Sequence, residues 1–173
     1  MNYGSWGVGN SLGHLVAKLL EDKTGVAMEH VPYREVSQLL MAVGNHGVAW
    51  GFASIPASQS AFQAGKIRYL AVARSQRIPQ MPDVPTISEA GGPDGIDVNT
   101  FVVLVTPKGI PSAVRDRINA DVAKAVASPE VKARSDTFAF EPISWTAQEI
   151  SAEAEAKSRT YKALIDRGNI RLD

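Results

Sequence analysis

The first half of the chain alternates short runs of β-branched residues with segments that repeat apolar residues at helical spacing. These strand-like and helix-like segments follow one another at residues 26–32, 36–43, 48–53, 56–64 and 67–73. An opening helix from Leu12 follows a short strand at 1–3. Such alternation is typical of βαβ units, which build parallel sheets. We therefore predict an α/β fold, in which a mainly parallel sheet is flanked by helices.

The second half begins with a proline-rich connection. Three prolines at 79, 82 and 85 exclude a regular element there. A short helix from Thr86, with Glu89 as its capping-box partner, is expected to close the connection. The further expected elements are a strand at 98–105 buried on both faces, helices at 111–126 and 130–136, a short strand at 138–142, and a last helix that Thr146 and Glu149 open and that runs to 168.

Composition adds mainly exclusions. With 45% hydrophobic residues, the chain of 173 residues can bury a core, and the absence of cysteine excludes disulfides and thiolate nucleophiles. Eighteen basic residues balance eighteen acidic ones, so no net charge attracts nucleic acid or an anionic membrane surface. Neither a long apolar run nor a signal-peptide pattern is present. We expect no direct membrane insertion, and a cytoplasmic location if the chain is expressed as written.

Small residues dominate the segment at 3–11, which joins the first strand to the first helix. Three glycines and two serines stand there, directly before the apolar repeat of the helix. Backbone N–H groups left free ahead of a helix attract anions, with help from the helix dipole. The candidate ligand-binding residues of this segment are Ser5, Trp6, Gly7, Gly9, Asn10 and Ser11. The alternative is a tight turn in which the glycines serve only the backbone.

Two further loops are predicted to lie beside this segment, because the carboxyl ends of parallel strands share one edge of a sheet. One carries Tyr33 and Arg34, and the other carries Ser54. Hydroxyl groups and a guanidinium suit a carboxylate or another small anion. Glu35 opposes this assignment, since a carboxylate in the first turn of a helix competes with an anionic ligand. A solvated surface role for Arg34 is the alternative.

Other chemistries are less well supported by the sequence. Gly7 and Gly9 match half of a dinucleotide-binding fingerprint, but Gly13 comes one position late. The three histidines, spread over 14–46, lack metal-ligand spacing and are interpreted as structural. Ser5 lacks the GxSxG elbow of a serine nucleophile. We predict no catalytic residue, no metal and no cofactor.

Several longer segments resemble one known family. They are YGSWGVGNSLGHLVAKLLEDKTGV at the start, HVPYR at 30–34, and PDVPT at 82–86 followed by EAG at 89–91. In this order they resemble the substrate-binding proteins of tripartite tricarboxylate transporters, the Bug or TctC-like family, over nearly the whole chain. None of these segments is a catalytic motif, so the resemblance rests on their joint order.

The resemblance implies a periplasmic, two-lobed binding protein of type II fold. Such a protein closes over a small organic carboxylate or amino acid and delivers it to a membrane permease, without enzymatic activity. Residues 1–97 then correspond to the second lobe, and 98–173 to a crossing strand and C-terminal helices that pack on the first lobe. In that frame Ser5, Gly7, Gly9 and Ser11 lie on one ligand loop, and Tyr33 with Arg34 lies on the next.

Two alternatives to the receptor function stay open. One is a small α/β enzyme that uses the same anion site, and the other is a degenerate fragment that no longer binds a ligand. Because the resemblance covers only one lobe, the apolar stripes of the later helices are expected to lack part of their partner surface and to leave an exposed patch. These stripes are formed by Val114, Ile118, Val122, Ile150 and Leu164.

Overall fold

The structure is a computed structural model and describes residues 1–7, 11–98 and 101–168. These residues group into two compact units. The first unit comprises the described residues up to Val98 together with 159–168, and the second comprises 101–158. No helix among the described residues is long and apolar enough to cross a membrane.

The first unit is built on a three-stranded parallel sheet. Its elements are β1 (Asn2–Trp6), α1 (Leu12–Thr24), β2 (Glu29–Tyr33), α2 (Val36–Gly44), β3 (Trp50–Gly51) and α3 (Ile55–Gln63). The strand order is β2–β1–β3, and both neighbours pair with β1 in the parallel direction. The predicted α/β class, with a parallel sheet flanked by helices, is confirmed.

The two faces of the sheet differ in the size of their side chains. Tyr3 on β1 is in register with one residue of each neighbouring strand, so large rings share its face. On the other face, Gly4 pairs with Gly51, and Leu39 of α2 packs directly against them. A Cβ atom on Gly51 would lie 2.8 Å from the Gly4 carbonyl oxygen and 2.8 Å from Leu39 Cδ1. Glycine at these two positions therefore lets α2 approach the sheet closely.

Three local predictions in the first unit need correction. Gly4 and Ser5 lie within β1 rather than in the following loop. The predicted strand at 67–73 forms a single parallel bridge between Val72 and Thr86 instead of a continuous strand. The predicted helix from Thr86 is a turn, although both capping-box hydrogen bonds with Glu89 are present, at 2.8 and 3.1 Å. Local bonds of a cap do not by themselves extend a helix when the following residues favour turns.

The second unit is helical. It contains α4 (Ser112–Val126), α5 (Pro129–Thr137) and the first part of α6 (Ala147–Gly168), as the periodicity predicts. The predicted strands at 98–105 and 138–142 are wrong for the described residues, since 101–158 contains no strand. Val102 is 90% exposed and Val105 is 84% exposed, so the expected burial on both faces is wrong too. A strand forms only when a neighbour accepts its backbone hydrogen bonds, and residues 101–158 offer none.

No residue within 101–158 is buried. Of the apolar stripe expected to be exposed, Val114 and Ile118 are exposed, whereas Val122 and Ile150 are half-buried. The side chain of Leu164 lies outside the described part of the chain. The expectation of an exposed apolar surface therefore holds for the first half of the α4 stripe.

Candidate functional site

The loops that follow β1, β2 and β3 leave the sheet at one edge, which we call the carboxyl edge. The Gly7 amide donates to the Tyr33 carbonyl oxygen at 2.9 Å, which joins the first loop to the second. A Cβ atom on Gly13 would lie 3.2 Å from Phe52 Cβ, so the start of α1 also contacts the segment after β3. The carboxyl edge thus brings together the residues around the starts of α1, α2 and α3.

At the first loop, several polar groups are already paired inside the protein. Ser11 is the N-cap of α1, and its hydroxyl oxygen accepts from the His14 amide at 3.4 Å. The Gly7 amide is used by Tyr33, as described above, and Trp6 is 43% exposed beside it. The candidate residues Gly9 and Asn10 lie outside the described residues.

Arg34 and Ser54 contribute polar groups with no hydrogen-bond or ion-pair partner among the described residues. Both side chains are exposed. Ser54 is the N-cap of α3 but makes no side-chain cap bond. Because Pro56 has no N–H, the free backbone donors in the first turn of α3 are the amides of Ile55 and Ala57. The start of α3 therefore offers a hydroxyl and two amides, and the second loop offers a guanidinium.

At the start of α2, the capping position is occupied by the carboxylate of Glu35. It is the N-cap of α2 and forms a capping box with Gln38, whose Oε1 accepts from the Glu35 amide at 3.3 Å. A carboxylate at this place already interacts favourably with the helix dipole. The start of α2 is therefore occupied by a carboxylate of the chain itself, whereas the first turn of α3 contains no acidic residue. Tyr33, at the end of β2, turns its ring toward Gly4 on the face that α2 covers.

Beneath the carboxyl edge lies a buried polar group that we call the histidine cluster: Tyr3, Ser5, His14 and His30. The Tyr3 hydroxyl is hydrogen-bonded to His14 Nδ1 at 2.8 Å, and Ser5 Oγ is hydrogen-bonded to His30 Nε2 at 2.7 Å. The two imidazole rings face each other with centroids 4.0 Å apart. Tyr3 and Ser5 are almost completely buried, and His14 is 9% exposed. Trp50 stacks on Tyr3 from β3 at 5.1 Å between centroids.

The environment of the cluster favours neutral rings. Burial, followed by the proximity of His30 and Lys18, lowers the pKa of His14 to about 4, although Glu21 acts in the opposite direction. Burial is also the main cause of the lowered pKa of His30. Burial and the nearby Glu21 raise the pKa of Tyr3, so its hydroxyl keeps its proton. The cluster is therefore uncharged near neutral pH.

Glu21 is the carboxylate whose charge acts on both rings, and two hydrogen bonds hold it in place. Lys18 Nζ donates to it at 2.5 Å, and the Met28 amide donates at 2.6 Å. Burial alone would raise the pKa of Glu21, but these two hydrogen bonds outweigh it and the pKa is lowered. Glu21 is thus ionised and engaged, and it is not free to pair with a protonated histidine. Among the described residues, no three or more histidine or acidic side chains meet in a group fit for a metal ion.

The family described as "Tripartite tricarboxylate transporter family receptor" matches residues 1–170. The chain belongs to this family of transporter receptors. The resemblance of the sequence segments to this family is therefore confirmed.

Relatives of the receptor family are similar over most of this chain. A UPF0065 protein in the tcbD-tcbE intergenic region of Pseudomonas sp. (strain P51) is 37% identical over 131 residues, which is 76% of this chain and 39% of that protein. Protein BugT of Bordetella pertussis is 30% identical over 125 residues, 70% of this chain and 38% of BugT. The chain thus spans well under half the length of these two relatives.

Solved structures of receptors share the fold. R. palustris Rpa4515, solved with adipate, is 29% identical and superposes with a TM-score of 0.86 over 98% of this chain and 56% of the other. A structure described as a periplasmic transporter is 27% identical, with a TM-score of 0.83 over 99% of this chain and 57% of its own. MatC from Rhodopseudomonas palustris, solved with malate, is 24% identical with a TM-score of 0.62 and supports the fold alone.

The histidine cluster is the part of the site region that sequence reasoning missed. His14 and His30 lie far apart along the chain and match no ligand motif. A βαβ unit, however, places its second strand beside the first and its helix over both, so residues on β1, α1 and β2 meet on one face. The alternation of strands and helices therefore predicts that the two histidines lie on the same side of the sheet, but it does not predict that their rings are in contact.

Proposed function

We propose that this chain binds a small organic carboxylate as part of a solute receptor for a tripartite tricarboxylate-type transporter. The proposal rests on unpaired donors at the start of α3 and on the unpaired guanidinium of Arg34, which follow strands whose carboxyl ends share one edge of the sheet. Membership of the receptor family and the close fit to a relative solved with adipate support the same ligand class.

In this proposal, Arg34 supplies the positive charge and the start of α3 supplies the directed donors. A guanidinium forms short, charge-assisted hydrogen bonds with a carboxylate. Ser54 Oγ and the amides of Ile55 and Ala57 add neutral donors, and the dipole of α3 favours a negative group there. Trp6 provides an exposed apolar surface for the carbon chain of the ligand. Gly9, Asn10 and Ser11 complete the predicted contacts of the first loop.

The receptor releases its ligand chemically unchanged to a membrane permease, and it works in the periplasm. The first point is supported by membership of a family of transporter receptors. The location is supported by the solved relative described as a periplasmic transporter.

Calorimetric titration of the 173-residue chain tests the proposal. Adipate, malate and an uncharged diamide of the same length as adipate are titrated in turn. We expect heat of binding with at least one dicarboxylate, none with the diamide, and recovery of unchanged ligand. Binding of the diamide as tightly as the diacid, or turnover of the ligand, would overturn the assignment.

The Arg34→Gln variant tests the assigned residues. Loss of a charge-assisted hydrogen bond is expected to weaken dicarboxylate binding by about tenfold or more. Arg68→Gln is the matched control, because Arg68 is also exposed but lies after the end of α3, away from the carboxyl edge. Equal losses in the two variants would show that only the overall charge matters.

A further inference from the structure

Acidic side chains are distributed unevenly between the two edges of the sheet in the first unit. Glu21 and Asp22 lie near the end of α1, and Glu29 opens β2. The Met28 amide donates to Glu21 at 2.6 Å, and the Glu29 amide donates to the Met1 carbonyl oxygen at 3.0 Å. These three acidic residues therefore lie at the amino ends of β1 and β2, opposite to the carboxyl edge.

The carboxyl edge is poor in negative charge by comparison. The loops after β1, β2 and β3, at 7–11, 34–35 and 52–54, contain one basic and one acidic residue, Arg34 and Glu35. The first turns of α1, α2 and α3 contain no acidic residue. All three helices begin at this edge, so the positive ends of their dipoles lie there as well.

Glu35, the acidic residue of these loops, is engaged by the chain itself. It occupies the N-cap position of α2 and forms the capping box with Gln38. An ammonium group carries three donors and no acceptor, and a carboxylate is its strongest partner. A ligand ammonium at the carboxyl edge therefore competes with α2 for Glu35, whereas a ligand carboxylate meets the unpaired guanidinium of Arg34.

We propose that the carboxyl edge selects carboxylates that lack an ammonium group, so that it binds dicarboxylates and hydroxy acids more tightly than amino acids of the same length. This inference rests on the proposed function of the carboxyl edge and narrows its ligand class. Arg34 is in this view a specificity-determining residue, because its charge attracts the carboxylate and repels the ammonium.

The comparison of a hydroxy acid with the matching amino acid isolates the effect of the ammonium. A hydroxyl group is neutral and both donates and accepts hydrogen bonds, so the loops accommodate it without a charged partner. An ammonium in the same place faces a guanidinium and the starts of three helices. Like charges brought together without a counter-charge weaken binding, here by about tenfold or more.

Calorimetric titration of the 173-residue chain with two matched pairs tests the selectivity. The pairs are malate with aspartate and 2-hydroxyadipate with 2-aminoadipate, and adipate is titrated as the unsubstituted reference. At about pH 7 the carboxyl groups are ionised and the amines are protonated. We expect the hydroxy acid to bind about tenfold or more tightly than the amino acid of its pair.

The outcomes separate this inference from the function on which it rests. Equal affinities within a pair, tighter binding of the amino acid, or loss of the hydroxy acid together with the amino acid would overturn the selectivity. In each of these cases binding of adipate would still support the proposed function. No binding of adipate or of either pair would overturn the proposed function and the selectivity together.

The Ser54→Asp variant adds a carboxylate at the carboxyl edge. Ser54 is the exposed N-cap of α3, where aspartate is a favoured residue, so the helix is expected to form. We expect the hydroxy acids to bind about tenfold more weakly and the preference over amino acids to be lost. Circular dichroism verifies the fold.

Two control variants accompany Ser54→Asp. Ser54→Asn changes the shape of the side chain in the same way but adds no charge, and Ser60→Asp adds the charge at an exposed position nearer the end of α3. Both should keep the preference for hydroxy acids. An unchanged preference in Ser54→Asp, or an equal loss in either control, would show that negative charge at the carboxyl edge does not set the selectivity.

Discussion

The two units of this chain show what separates a folded core from a set of well-formed helices. In the first unit, Tyr3, Val16, Leu39 and Val48 are almost completely buried around a parallel sheet. In the second, α4 and α5 are regular, yet no residue of 101–158 is buried. Helices satisfy their own backbone hydrogen bonds, so a helix survives without a neighbour that a strand would require.

The difference also explains the exposed apolar residues of the second unit. Val102, Leu104 and Val105 are between 72% and 90% exposed and lie in a segment whose residues would suit the interior of a sheet. Exposed apolar surface of this kind is typical of a surface that another part of a protein covers. The relative from Pseudomonas sp. (strain P51) has more than twice the length that this chain matches in it, since the match covers 39% of that protein.

The largest expected effect is on the core of the first unit. Leu39→Ala removes a side chain that is 1% exposed and that fills the space over Gly4 and Gly51. Loss of transfer free energy and the remaining cavity should lower the free energy of unfolding by about 2 to 5 kcal/mol. Urea denaturation followed by circular dichroism measures it.

Val114→Ala is the matched control in the second unit. Val114 is 47% exposed on α4, and alanine has the higher helix propensity. We expect a change within about 0.5 kcal/mol. If both variants shifted the same transition equally, the two units would share one core, and the contrast between them would be wrong.

The sequence predicts the elements that depend on local residues better than those that depend on a distant partner. Periodicity located α2 and α4 well, because their apolar spacing and flanking residues are local. It failed for Gly4 and Ser5, which local propensity assigns to a turn but which pair with Val31 and Pro32 of β2. It failed also at 98–105, where residues with strand propensity have no partner among those described.

For the candidate site, the sequence predicted which loops share an edge, since this follows from parallel topology alone. It did not predict that Ser5 is hydrogen-bonded to His30 or that the Gly7 amide is used by Tyr33. Those hydrogen bonds depend on which residues of β1 and β2 lie opposite each other and on the exact positions of their atoms. Spacing along the chain carries no such information.

Acid should destabilise the first unit through His14. Its pKa is lowered to about 4 in the folded chain from an ordinary value of 6.5, so the unfolded chain binds the proton more tightly. The contribution of His14 to the free energy of unfolding is therefore fully present above about pH 6.5 and decreases as the pH falls. It levels off below about pH 4, after a total loss of about 3 kcal/mol.

Urea midpoints measured across this pH range test the effect, and His14→Asn should remove most of the slope. The helices of the second unit contain no histidine, so their exchange of amide hydrogens should show no corresponding step once the intrinsic pH dependence is subtracted. A parallel step in α4 would contradict the separation of the units.

The smallest expected effect is that of removing a serine N-cap, and two caps with hydrogen bonds of equal length can be compared. Ser11 accepts from the His14 amide at the start of α1, and Ser128 accepts from the Val131 amide at the start of α5, both at 3.4 Å. Ser11→Ala should lower the free energy of cooperative unfolding by about 1 kcal/mol, because α1 packs on the sheet. Ser128→Ala should leave that transition unchanged and increase only the local amide exchange of α5, since a short helix without a core frays independently. Equal shifts of the cooperative transition would mean that α5 is coupled to the core as tightly as α1, and that local helix energetics alone do not account for the second unit.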